Sequence, residues 1–158
     1  MTAPTPHTPR PPSRVTAEWQ GEYRFDTGRS AAPLARLDGN AETGQSPPDA
    51  LLSALAACAG IDVVDFLTKR RTPPASMRIE VVGTRRDTPP RRFVRIELEF
   101  VLEGEGIERV HAERGVRLAF QTYCSVAASL APDIELWARV TINGEQGELV
   151  RQPNFTPG

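Results

Sequence analysis

Residues 46–71 read SPPDALLSALAACAGIDVVDFLTKRR, and this stretch decides the fold. Ser46 is a capping residue, Pro47 suits the first helical position, and Asp49 is an acid three residues after the cap. From Asp49 to Arg71 leucines and alanines recur at helical spacing. Lys69, Arg70 and Arg71 fall in the last turn, where positive charge complements the helix dipole, and Thr72-Pro73-Pro74 stops the run. Ala57, Ala59 and Gly60 make one part of this helix narrow, which allows a kink or the close approach of another helix.

Working outward, residues 15–25 (VTAEWQGEYRF) alternate with a two-residue period and predict one strand. Residues 26–30 (DTGRS) read as a turn, and 32–39 as a second short strand. Downstream, 77–86 and 91–104 alternate cleanly around Asp87-Thr88-Pro89-Pro90 and predict a hairpin or meander. Residues 106–124 carry Ile107, Val110, Val116, Leu118 and Phe120 and predict a second helix; 125–130 form a short turn, and 133–142 a closing strand. Two strands, a long helix, two strands, a helix and a strand predict an α+β fold, with a helical layer on antiparallel sheets. The expected divisions are a disordered Pro-rich tail over 1–14, one domain over 15–143 and an irregular C-terminal tail over 144–158.

The chain has 158 residues, enough for one domain with a real core. A hydrophobic fraction of 39%, a charged fraction of 25% and a net charge of -1 are ordinary for a globular protein and give no bulk attraction to nucleic acid or an anionic membrane. No charged-then-apolar leader opens the chain and no apolar run looks long enough to span a bilayer, so a cytoplasmic protein is expected. Lys69 is the only lysine; the arginine excess reads as compositional bias.

Chemistry rests on two cysteines, Cys58 in the long helix and Cys124 66 positions later in Tyr123-Cys124-Ser125-Val126. In a reducing compartment such a pair suits redox chemistry better than a structural staple. Free cysteine is also among the most buried residue types, so two inert core thiols are the plain alternative. Asp62, at i+4 from Cys58, sets a carboxylate beside any thiolate there, so an attacking Cys58 needs an arginine nearby. If Ser125 caps the next turn, Cys124 sits at a helix N-terminus, which favours its thiolate. Two cysteines with His7 and His111 match no zinc spacing, so no metal is expected, and phosphate-loop, nucleophile-elbow and Cys-x-x-Cys motifs are absent.

The segment from Ser46 through Cys58-Ala59-Gly60-Ile61-Asp62-Val63 resembles the first-cysteine motif of the OsmC/Ohr family, and Tyr123-Cys124-Ser125-Val126 resembles its second. The block order matches too, so the resemblance covers about residues 15–143, closest in wording to the YhfA-like branch. It implies an intertwined homodimer with sites at the subunit interface, acting on an organic hydroperoxide or hydrogen peroxide without a bound cofactor. Cys58 would attack the peroxide, Cys124 would resolve the sulfenic acid as a disulfide, and an external dithiol such as a lipoylated protein would reset the pair. The family's activating arginine falls to Arg29 in Asp26-Thr27-Gly28-Arg29, with Arg24 and Arg36 as competitors. Its glutamate position is Pro48 here, leaving Asp49, one residue on and one methylene shorter, which is also the capping acid. The competing reading is a noncatalytic OsmC-like dimer that binds a small apolar ligand at the interface.

Overall fold

The computed structural model describes residues 10–155; the expected tail over 1–9, with His7, lies outside them. The chain divides into two compact units, Met1–Ala50 and Leu51–Gly158.

The first unit is a three-stranded antiparallel sheet in the order β1 (Thr16–Trp19), β2 (Arg24–Gly28), β3 (Ala35–Asp38). The single strand expected over 15–25 is therefore two. Gly21 at φ +90° and Glu22 at φ +50° fold the chain back so that Trp19 pairs with Phe25. The alternation survives on both sides of the turn, and glycine's freedom at positive φ makes the break. The turn expected over 26–30 begins later, because Asp26, Thr27 and Gly28 are β2 residues. Beyond β3, the buried Asp38 carboxylate gathers the following loop, accepting from Asn40 N at 2.9 Å, Thr43 N at 3.0 Å and Thr43 Oγ1 at 2.8 Å.

Helix α1 (Pro47–Lys69) starts as its capping signal dictates. Asp49 N donates to Ser46 Oγ at 3.3 Å, and Ser46 Oγ donates to the Asp49 carboxylate at 2.7 Å. Contrary to the sequence expectation, this 23-residue helix is long and apolar enough to cross a membrane by length and composition alone. Its stripe Leu55, Ala59, Val63 and Leu67 is instead fully buried in the second unit's core.

That core lies on a mixed sheet. β4 (Ser76–Arg85) pairs antiparallel with β5 (Phe93–Glu103), and β5 pairs in parallel with β6 (Glu135–Ile142) from Arg95↔Glu135 to Leu102↔Ile142. The expected antiparallel sheets and long helix are present, and one pairing adds a parallel neighbour: the helical connection between β5 and β6 carries the chain back to the same end, as parallel neighbours require. Ile96, Leu98, Phe100 and Leu102 of β5 and Leu136, Ala138, Val140 and Ile142 of β6 are buried by strand alternation. The crossover contains α2 (Arg109–Leu118), one π-helical turn (Ala119–Tyr123) and α3 (Ser125–Ala128). Phe120 in the π turn meets Phe100 edge-to-face, centroids 6.5 Å apart.

Two of the glycines mark where α1 is closely approached. A Cβ on Gly115 of α2 would sit 2.9 Å from the ring of Phe66, so α2 packs tightly on α1 there; one on Gly60 would sit 2.8 Å from Ile79 Cδ1, so the narrow part of α1 meets strand β4 rather than a helix. Residues 144–158, expected as an irregular tail, contribute β7 (Glu145–Gln146) and β8 (Val150–Arg151), both antiparallel to β6. The turn between β6 and β7 is Asn143-Gly144, both at positive φ (+47° and +84°), the two-residue hairpin these residues favour.

Candidate functional site

Cys58 lies on α1 one residue before the buried Ala59, so it flanks the core stripe and stays partly exposed. Asp62 follows one turn later on the same side. Cys124 comes from the crossover. The π turn closes with Cys124 N donating to Ala119 O at 2.8 Å, five residues back, and the chain then enters α3. Single π turns add one residue to a helical path and often mark functional sites. Here the turn delivers Cys124 to the core edge, where the residue is 2% exposed.

The fold brings the two thiols together, with the Asp62 carboxylate beside them. Cys58 Sγ, Cys124 Sγ and a carboxylate oxygen of Asp62 all lie within 4.8 Å of one another. Ser125 Oγ is 4.0 Å from Cys58 Sγ, so the residue after the second cysteine belongs to the same cluster.

Cys124 itself, not Ser125, caps α3: its sulfur accepts from Ala127 N at 3.3 Å. The thiolate expected from that position does not follow. Burial pushes the Cys124 thiol up to about 12, outweighing the opposing Ala127 N–H, and contact with Cys58 adds to the rise. Asp62 is raised above the ordinary carboxyl range chiefly by burial, with the charge of Asp65 second. Its Oδ2 is buried and has no hydrogen-bond partner. A buried acceptor in that state carries a desolvation cost that nothing beside it offsets.

The remaining expected site residues belong to the first unit. The Arg24 guanidinium pairs with Glu22. Arg36 pairs with Asp26 through both carboxylate oxygens, and its hydrogen bonds hold the Asp26 carboxyl below the usual range. The exposed Arg29 makes no side-chain hydrogen bond or ion pair among the described residues. Of the three arginines it alone is uncommitted. Asp49 is held by Ser46 as a capping acid.

Sequence reasoning named both cysteines but missed the cluster's third and fourth members. In the sequence alone, Asp62 figures only as a charge opposing Cys58, and Ser125 only as a cap. The i,i+4 spacing of Cys58 and Asp62 was the available signal; a zinc-pattern search could not use it, because the third ligand atom arrives 62 positions further on through the fold.

Known proteins share this fold. The chain is 33% identical to protein YhfA of Escherichia coli K12 over 101 residues, 63% of this chain and 75% of that one. The crystal structure of a hypothetical protein from Aquifex aeolicus is similar with a TM-score of 0.74 at 28% identity, over 82% of this chain and 95% of that one. The organic hydroperoxide resistance protein OhrB of Bacillus subtilis shares the fold at a TM-score of 0.52 and 16% identity, over 82% and 96% of the two chains. Residues 39–139 match the model of the OsmC-like proteins, and the chain belongs to that family.

Proposed function

We propose that the protein is a thiol-dependent peroxidase that reduces organic hydroperoxides, or hydrogen peroxide, through Cys58 and Cys124. The observation that carries this reading is the placing of a partly exposed and a buried sulfur within 4.8 Å of each other, from positions 66 residues apart. The exposed sulfur is the one a substrate reaches. As thiolate, Cys58 attacks the terminal peroxide oxygen: an S–O bond forms, the O–O bond breaks, and the alkoxide leaves as alcohol after taking a proton. The Cys124 thiol then attacks the sulfenic sulfur. An S–S bond forms, and the hydroxyl departs as water with the Cys124 proton. An external dithiol, such as a lipoylated protein, exchanges through the exposed Cys58 sulfur and leaves oxidised. By resemblance to the family, the role of charging the Cys58 thiolate's surroundings is assigned to Arg29, with Asp49 as the acid that orients it.

The working form is a homodimer. Supporting this, Leu51, Ile61 and Val64 of α1 are 40%, 69% and 40% exposed, apolar area that a second copy would cover. A monomer by light scattering would count against it.

Consumption of cumene hydroperoxide with a dithiol reductant tests the activity. Turnover is expected in the wild type and lost in Cys58→Ser; turnover no faster than that variant refutes the proposal. Arg29→Met should slow the reaction with peroxide, whereas Arg36→Met should not.

One observation favours the second reading. An apolar groove of about 740 Å³ lies along α1 and β4, lined by Ala56, Gly60, Ile61, Val64, Met77 and Ile79. A noncatalytic protein would hold a small apolar ligand there, at the dimer interface. Native mass spectrometry of purified protein with a retained ligand, together with absent peroxide turnover, would favour it.

A further inference from the structure

We infer that the reduced protein binds one zinc ion through Cys58 Sγ, Cys124 Sγ and an Asp62 carboxylate oxygen.

The donor set is the first argument. Two thiolates and a carboxylate are an established zinc combination, with sulfur at about 2.3 Å and oxygen at about 2.0 Å from the metal. Tetrahedral bonds of that length put sulfurs about 3.8 Å apart and sulfur and oxygen about 3.5 Å apart. The three atoms already lie within 4.8 Å, so a contraction of about 1 Å completes the triangle. Side-chain rotation of the two partly exposed ligands, Cys58 and Asp62, supplies that movement.

Asp62 is the second argument, and it is independent of the thiols. Its Oδ2 is buried without a hydrogen-bond partner, so the carboxylate meets neither water nor a donor on that side. An ion pair within the protein does not account for it either: the basic side chains along this part of α1 are engaged elsewhere, Lys69 with Asp65 and Arg70 with His111. A cation bound by both sulfurs offsets the charge of that carboxylate, one oxygen of which is within reach of the same ion. Binding releases the two thiol protons to solvent and leaves a site of net charge −1, moderated by a neutral fourth ligand. Water entering beside Cys58 fills that position, or Ser125 Oγ, which is 4.0 Å from Cys58 Sγ. Zinc suits the site better than magnesium or calcium, whose ligands are oxygens.

The consequence is regulatory. A zinc-bound Cys58 has its sulfur electrons in the metal bond, so metal occupancy and attack on peroxide exclude each other. Formation of the Cys58–Cys124 disulfide removes two ligands and expels the ion. Binding does not depend on the peroxidase reading, since it needs only the reduced cluster.

The test uses the full chain, reduced and stripped of metal, titrated with cobalt(II) as a spectroscopic stand-in and then with zinc. One cobalt per chain is expected, with a sulfur-to-cobalt charge-transfer band and tetrahedral d–d bands that one equivalent of zinc abolishes. Cys58→Ser and Cys124→Ser should each weaken the charge-transfer band. Asp62→Asn, checked for fold by circular dichroism, should bind zinc at least about tenfold more weakly while keeping both thiols. Zinc should also slow alkylation of Cys58. Absence of the charge-transfer band in the wild type overturns the proposal, and so does wild-type affinity in Asp62→Asn; should that variant misfold, Asp62→Ser takes its place. Peroxide turnover of the zinc-free protein is measured alongside: turnover without cobalt bands rejects the metal site alone, and cobalt bands without turnover reject the peroxidase alone.

Discussion

Oxidising the cysteine pair should stabilise the second unit by an amount the chain itself sets. The sulfurs lie at most 4.8 Å apart. A disulfide needs about 2.05 Å, leaving a gap of about 2.8 Å at most, about what one χ1 jump moves a sulfur. Side-chain rotation is therefore of the size needed to close the bridge. The gain comes from the unfolded chain: the bridge closes a loop of about 66 residues, and loop-closure entropy then favours the folded form by about 4 kcal/mol at room temperature. For a unit of 108 residues (158 − 50), each kcal/mol is worth about 4 °C in melting temperature, so the shift should be about 16 °C. The assay is a thermal melt by circular dichroism before and after one equivalent of hydroperoxide, with peptide mapping to identify the bridge and Cys124→Ala as the control that cannot close it. A mapped Cys58–Cys124 bridge without a rise in melting temperature would refute the reasoning, because the geometry would then not be poised for closure.

Three further outcomes follow from the packing and the electrostatics. Gly115→Val should cost about 1–3 kcal/mol in urea unfolding, since even a Cβ there meets the Phe66 ring at 2.9 Å, and Phe66→Leu in the same chain should recover part of the loss. Iodoacetamide at pH 8 should modify Cys58 well before Cys124, whose thiol is 2% exposed and pushed up to about 12; equal rates, read by peptide mass, would contradict the burial of Cys124. Acid should loosen the first unit through Asp38, whose carboxyl is held at about 2 by the Asn40 and Thr43 donors. Because that value lies below the unfolded one of about 3.9, the stabilisation is present above pH 4 and fades as pH falls towards 2. Asp38→Asn should flatten the acid limb of the stability profile, and an unchanged limb would refute this.

What could be read from the sequence was what local chemistry writes down. Ser46, Pro47 and Asp49 announce a helix start because capping is satisfied within four residues, and the strict alternation of 93–103 announces a strand because one side of it must be buried. The misread elements have a common cause. The 15–25 alternation hid a turn because Gly21 keeps the two-residue rhythm while reversing the chain. At Asn143-Gly144 the hairpin signal was present but passed over inside a polar tail, and β8 follows from pairing with β6, which short polar segments do not reveal. The parallel pairing of β5 with β6 is a property of the crossover, not of either strand. In the site, the family motifs located both cysteines, but the thiolate expected at Cys124 failed: a helix start favours the charge weakly, and burial opposes it more strongly. Asp62 lay in plain view in the sequence, yet its buried, partnerless oxygen exists only in the folded chain.

Asp62 is also where the two proposals for this cluster meet, and simple electrostatics orders them. A carboxylate and a thiolate this close repel each other, a repulsion that the partial exposure of both groups softens but does not remove. A peroxidase whose working species is the Cys58 thiolate must therefore offset that repulsion with positive charge. Among the arginines weighed for that role, Arg29 alone is uncommitted among the described residues. A doubly charged zinc ion offsets it more completely, and the same carboxylate that burdens the free thiolate then becomes a ligand. Removing the carboxylate should move the two properties in opposite directions. Asp62→Asn should speed reaction of Cys58 with hydroperoxide in metal-free protein and weaken zinc binding. If Asp62 instead served only to position the helix, the variant would leave the peroxide rate and zinc affinity unchanged, or lower both together with stability. Opposed shifts from one substitution are therefore the signature of a cluster balanced between metal retention and thiol chemistry.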